Sequence, residues 1–73
     1  MKSESLIRLV EVQLGSKKVK LEDRFAEDLG AESIDMVNLM VTIEENTGMF
    51  IPEEVIPELK TLQDLLNFII SSQ

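Results

Sequence analysis

Few residues in this chain could do chemistry, and they converge on one serine. The 73 residues include no histidine, cysteine, tryptophan or tyrosine. That removes the neutral-pH proton shuttle, the imidazole and thiolate metal ligands, and any disulfide. Ser33 lies in Leu29-Gly30-Ala31-Glu32-Ser33-Ile34-Asp35-Met36, between a loop-like stretch and the strongest helical pattern in the sequence. As a nucleophile it would need a general base. Lys60 is a remote option, and nothing in the sequence places it. The pairs Glu44-Glu45 and Glu53-Glu54 are adjacent and would diverge on a helix, so neither makes an acid–base dyad. No stretch has the Asp/Asn spacing of a calcium loop or a glycine-rich phosphate cradle.

Autonomous catalysis is therefore not expected, and Ser33 reads as a point of modification. Its other reading is an N-cap whose hydroxyl accepts a backbone N–H near Met36, a bond worth about 1 kcal/mol. The two are compatible. Free N–H groups and the helix dipole at a helix N-terminus favour an anion, so a phosphodiester would sit well on such a serine. Glu32 and Asp35 would partly oppose it, which suggests that they serve a partner instead.

The elements that must position Ser33 follow from periodicity. A first helix is expected over 4–14, with Leu6, Leu9, Val10 and Leu14 at helical spacing, Ser3 as N-cap and Gly15 as stop. Between residues 16 and 32 the pattern loosens. Val19, Leu21, Phe25 and Leu29 read as anchors of a long loop with a short helical turn at 24–28, and a connection of that length usually has a job.

A second helix is expected over 34–46. Its apolar residues spread over roughly 220°, against the roughly 100° stripe of an ordinary surface helix. It should therefore pack against more than one neighbour and show water one narrow polar face. Gly48 is its expected C-cap. Pro52 suits the first position of a short helix that Pro57 limits to a turn or two. Thr61-Leu62-Gln63-Asp64 resembles a capping box opening a last helix over 62–71. The fold class is all-α: a single domain over 1–73, a four-helix bundle of three main helices and a short third one.

Charge separates along the chain. Residues 1–26 hold six basic residues against four acids, a balance of +2; residues 27–73 hold ten acids against Lys60 alone, a balance of −9. Such a field repels nucleic acid and draws basic protein surfaces toward the C-terminal two-thirds. No apolar run approaches the roughly 18–20 residues that span a bilayer. Residues 1–5 lack the basic region and apolar stretch of a signal peptide, so a soluble, cytoplasmic monomer is expected.

Taken together, Phe25-Ala26-Glu27-Asp28-Leu29-Gly30-Ala31-Glu32-Ser33-Ile34-Asp35, then Ile43-Glu44-Glu45 and Ile51-Pro52, resemble an acyl carrier protein. The likeness covers nearly the whole chain in order, with the family's length, acidity and four-helix layout. It implies that Ser33 receives 4′-phosphopantetheine from coenzyme A through a phosphopantetheinyl transferase. The arm's thiol would then carry an acyl group as a thioester for fatty acid or related lipid or polyketide synthesis, and acyl-loading and acyl-transferring enzymes would be the partners. In the family the helix after the serine is the recognition helix, which implies partner contacts at Glu32, Asp35, Glu44 and Glu45. The family also shelters its acyl chain between helices, so Val37, Met40, Val41, Ile43, Ile51 and Leu59 are candidates for the lining or for ordinary core.

The chain departs from the family pattern in several places. Glu32 replaces the usual Asp before the serine, Asn38 stands where many members have an acid, and Pro57 is atypical. Thr47 occupies a position where a phenylalanine commonly packs, and Phe50 is expected to refill that space or to line an acyl pocket. These differences point to a specialised carrier. Two other readings stay open on the residues: a carrier of amino acids or D-alanine, and an unmodified module that keeps the fold and binds a basic partner.

Overall fold

A computed structural model describes residues 1–72. In chain order it has α1 (Ser3–Leu14), α2 (Ser33–Thr47), a 3₁₀ helix (Glu53–Glu58) and α3 (Leu62–Ser72). The all-α, four-helix expectation holds. Among the described residues extended pairing is limited to one isolated bridge, Arg24 with Thr61.

α1 buries Leu6 and Val10, one turn apart on a single stripe. It ends where expected, at Gly15, whose φ of 67° lets its N–H return to the Glu11 carbonyl. Its start differs from expectation. Lys2, not Ser3, is the N-cap, because the Leu6 N–H reaches the Lys2 carbonyl at 3.0 Å and closes the first turn one residue early.

α2 buries Met36, Leu39, Met40 and Ile43, a stripe of about 100° at 100° per residue, the ordinary width. It packs against both α1 and the 3₁₀ helix, as anticipated. The narrow polar face, however, is not found: Ile34, Val37 and Val41 are 61%, 39% and 47% exposed. Apolar residues on α2 thus exceed what its two neighbours can cover.

The C-terminal end of α2 explains Thr47. Its hydroxyl donates to the Ile43 carbonyl at 2.7 Å and accepts the Met49 N–H at 3.2 Å, tying the helix end to the following loop. Phe50 is 79% exposed, so it does not refill a core space at Thr47. Pro52 adopts extended backbone and caps the 3₁₀ helix from outside rather than opening it. Pro57 sits inside that segment, which stays 3₁₀ throughout its six residues.

The long loop is held by main chain as well as by its four apolar anchors. Phe25 N–H donates to the Lys60 carbonyl (2.9 Å), Leu62 N–H to Asp23 (3.1 Å) and Gln63 N–H to Leu21 (2.8 Å). The expected turn is present, with Asp28 and Leu29 N–H groups both returning to the Arg24 carbonyl. α3 opens on the expected capping box: Asp64 N–H donates to Thr61 Oγ1 and Thr61 N–H to Asp64 Oδ2, each at 3.1 Å.

One core joins the three α-helices, with Leu6, Val10, Leu39, Ile43, Leu62, Leu65 and Ile69 almost wholly removed from water. A domain this small has little surplus stability. Ile43→Ala is expected to cost about 2–5 kcal/mol in urea denaturation, whereas Val41→Ala, one face away, should stay within about 0.5 kcal/mol.

Candidate functional site

The approach to Ser33 is fixed by short-range geometry. Gly30 takes a φ of 66°, a turn that a side chain would strain, and the Ala31 N–H donates to the Phe25 carbonyl at 2.8 Å. Upstream, Arg24 grips Asp28: the carboxylate accepts the Arg24 N–H at 2.8 Å and its Nε at 3.2 Å. The guanidinium's hydrogen bond, aided by the backbone one, holds the Asp28 carboxyl below its ordinary range and raises Arg24 in turn. Both groups are exposed, so this pair orders the turn more than it stabilises the fold.

At the helix start the structure corrects the expectation for the serine. Glu32 is the N-cap and Ser33 is the first helical residue. The Met36 N–H is taken by the Glu32 carbonyl at 3.0 Å, and Asp35 Oδ2 accepts the Glu32 N–H at 2.9 Å. Glu32 and Asp35 therefore do the capping. The Ser33 side chain is exposed and has no hydrogen-bond partner among the described residues. Among the described residues no general base is hydrogen-bonded to it.

Two clefts flank α2. The larger, about 550 Å³, lies beside Ser33 between the start of α2 and the 3₁₀ helix, and is lined by Met36, Val37, Ile56, Pro57 and Leu59 with Phe25 and Lys60. The smaller, about 330 Å³, runs along the outer side of α2 past Val37, Met40 and Val41 to Phe50 and Ile51. The predicted lining residues thus divide. Val37 borders both clefts, Leu59 the first, and Met40, Val41 and Ile51 the second. Ile43 borders neither and is fully buried core. Phe50 borders the second cleft and stays exposed.

The predicted acids divide too. Glu32 and Glu45 are exposed. Asp35 is committed to the cap, and Glu44 Oε2 accepts the Ile51 N–H at 2.7 Å, which ties the loop after α2 back to the helix. Sequence reasoning missed Phe25, Ile56 and Lys60 as side chains lining the cleft beside Ser33. Ile56 could have been found from its apolar character; the other two arrive through loop hydrogen bonds with no local signature. Among the described residues no acidic cluster could hold a metal ion, and no helix is long and apolar enough to cross a membrane.

Known proteins resemble this chain over most of its length. The phosphopantetheine attachment site family matches residues 4–69. The acyl carrier protein of Thermosynechococcus vestitus is 46% identical over 59 residues, covering 81% of this chain and 73% of its own. That of Kocuria rhizophila is 41% identical over 63 residues, covering 86% and 78%, and that of Trieres chinensis is 41% identical over 63 residues, covering 84% and 79%.

The division of labour at the helix start is testable by urea denaturation. Asp35→Ala should lower stability by about 1 kcal/mol, the usual cost of a lost cap. Ser33→Ala should change it by less than about 0.5 kcal/mol, as befits an exposed, unbonded side chain.

Proposed function

The chain belongs to the acyl carrier protein family, whose cofactor is 4′-phosphopantetheine, and from that premise we propose that Ser33 is its attachment point and that the protein carries acyl intermediates for fatty acid or related lipid or polyketide synthesis. The observation that carries this reading is the exposed Ser33 hydroxyl at the first position of α2, left unbonded because Glu32 and Asp35 do the capping. The residues fit the group. A phosphodiester on Ser33 Oγ lies at the free N–H end of a fifteen-residue helix, and an open apolar cleft begins beside it. When bound, phosphopantetheine supplies the thiol that a chain without cysteine lacks.

The protein's own part is presentation. A phosphopantetheinyl transferase moves the group from coenzyme A to Ser33 Oγ, and the carrier itself catalyses nothing. Partner enzymes with basic docking patches meet Glu32 and Glu45, with Asp35 and Glu44 adding charge from semi-buried positions. Val37, Met40, Val41, Ile51 and Leu59 shelter the acyl chain, while Ile43 supports them from the core. The apolar side chains that both clefts present among their carboxylates favour acyl cargo over an amino acid or D-alanine. The working form is a cytoplasmic monomer.

Incubating the full chain with coenzyme A and a broad-specificity transferase should add the mass of one phosphopantetheine group, and Ser33→Ala should add none. No gain in the native protein would leave the unmodified interaction module standing; an equal gain in the variant would move the site elsewhere. Reversal of the exposed acid that takes no part in the cap, Glu45→Lys, should weaken transferase binding in titrations at low salt and leave the urea midpoint nearly unchanged. Binding that ignored both the reversal and the salt would show that this face does not dock.

A further inference from the structure

Lys60 is the one basic residue in the acidic stretch from residue 27 onward, and the fold carries it to Ser33. The path is short. The Lys60 carbonyl accepts the Phe25 N–H at 2.9 Å, and the Phe25 carbonyl accepts the Ala31 N–H at 2.8 Å, two residues before the serine. The Lys60 N–H is held as well, by the Glu58 carbonyl at 3.1 Å and Asp64 Oδ2 at 3.2 Å. A fixed backbone thus launches an exposed lysine side chain along the wall of the cleft that Ser33 also borders.

We propose that Lys60 binds the phosphodiester on Ser33 and so draws the first part of the pantetheine arm over the larger cleft. This rests on the carrier reading above. Three carboxylates, Glu27, Glu32 and Glu53, line the same cleft and repel a phosphodiester; Lys60 is the only basic side chain lining it. Among the described residues no carboxylate lies within ion-pair distance of Lys60, the two ion pairs both belonging to Arg24. A lysine acts on phosphate as a point charge and needs no fixed fork geometry. A solvent-exposed pair between free partners is worth little. Here the phosphate is tethered, so pairing is intramolecular and the cost of bringing the partners together is already met by the covalent bond. With the phosphate pinned, the arm leaves Ser33 over Met36, Ile56 and Pro57 rather than toward bulk water. Lys60 is a positioning residue: it does not react, and Ser33 should load without it.

The test uses holo protein, with loading checked first by intact mass. A native chain that does not load overturns the carrier reading and this proposal together; a chain that loads isolates the proposal. At low salt, nuclear Overhauser contacts are expected from the methyl protons of the arm to the Lys60 side chain and to Ile56. In Lys60→Gln the Ile56 contacts should fall by roughly two- to fivefold, the shift in population that an exposed ion pair supplies. The same loss should follow from raising salt, and Lys60→Arg should retain them. Circular dichroism of each variant checks that the helices persist. An arm without contacts to the cleft in the loaded native protein, or contacts unchanged in Lys60→Gln, would overturn the assignment.

Discussion

Phe25 is the joint on which the site depends. Its ring is buried at 3% exposure, its N–H donates to Lys60 and its carbonyl receives Ala31. One residue therefore ties the long loop to the start of α3 and sets the entry of α2. Loops normally run over the surface with their polar groups in water, and this one would wander if its backbone were free. Burying a ring whose two backbone groups are both bonded satisfies the polar groups and the hydrophobic term together. Gly30, the Arg24–Asp28 turn and the Glu32 cap are refinements of a path that Phe25 has already fixed.

From that joint the helix start divides its work between residues. A serine can cap a helix, but a capping hydroxyl is occupied as an acceptor. Here the cap lies one residue earlier, with Glu32 supplying the first helical carbonyl and Asp35 holding the Glu32 N–H. The serine keeps the benefits of the helix end, exposed N–H groups and the positive pole of the dipole, without spending its oxygen on them. The same Asp35 that would repel a phosphodiester is turned back toward the chain, which lessens the conflict that the bare sequence suggests.

The helices and their stops were legible because each has a local cause. Leu6 and Val10 mark α1 by spacing, Gly15 and Gly48 end helices by taking a left-handed turn, and Thr61 with Asp64 writes a capping box in four residues. The family was legible through the surroundings of Ser33, from Leu29-Gly30 before it to Ile51-Pro52 after it. What could not be read depends on which partners the fold brings up, distant ones for the exposed face of α2 and for Lys60, local ones for Thr47. Ile34, Val37 and Val41 suggested a wider buried face than α2 has, because apolar periodicity counts residues and not the neighbours available to cover them. Thr47 looked like a gap in the core, and only the Ile43 carbonyl and Met49 N–H show it closing a helix end. Lys60 gave no hint of standing near Ser33, twenty-seven residues away, since it arrives there through a hydrogen bond to Phe25.

The carboxylates show why counting charge misjudges such a surface. Ten acids follow residue 26, but Asp28, Asp35, Glu44 and Asp64 each accept a backbone N–H. Each of these oxygens holds a particular turn, cap or loop closure, so replacing these four tests folding before it tests recognition. Glu32 shares in the capping box, whereas Glu45 is exposed and accepts no backbone N–H among the described residues, so its charge adds to the field without holding the scaffold. Electrostatic steering needs only the sum of charges, whereas capping and loop closure need particular oxygens in particular places. A chain this short satisfies both demands by letting the same excess of acids serve the field collectively and the fold one residue at a time.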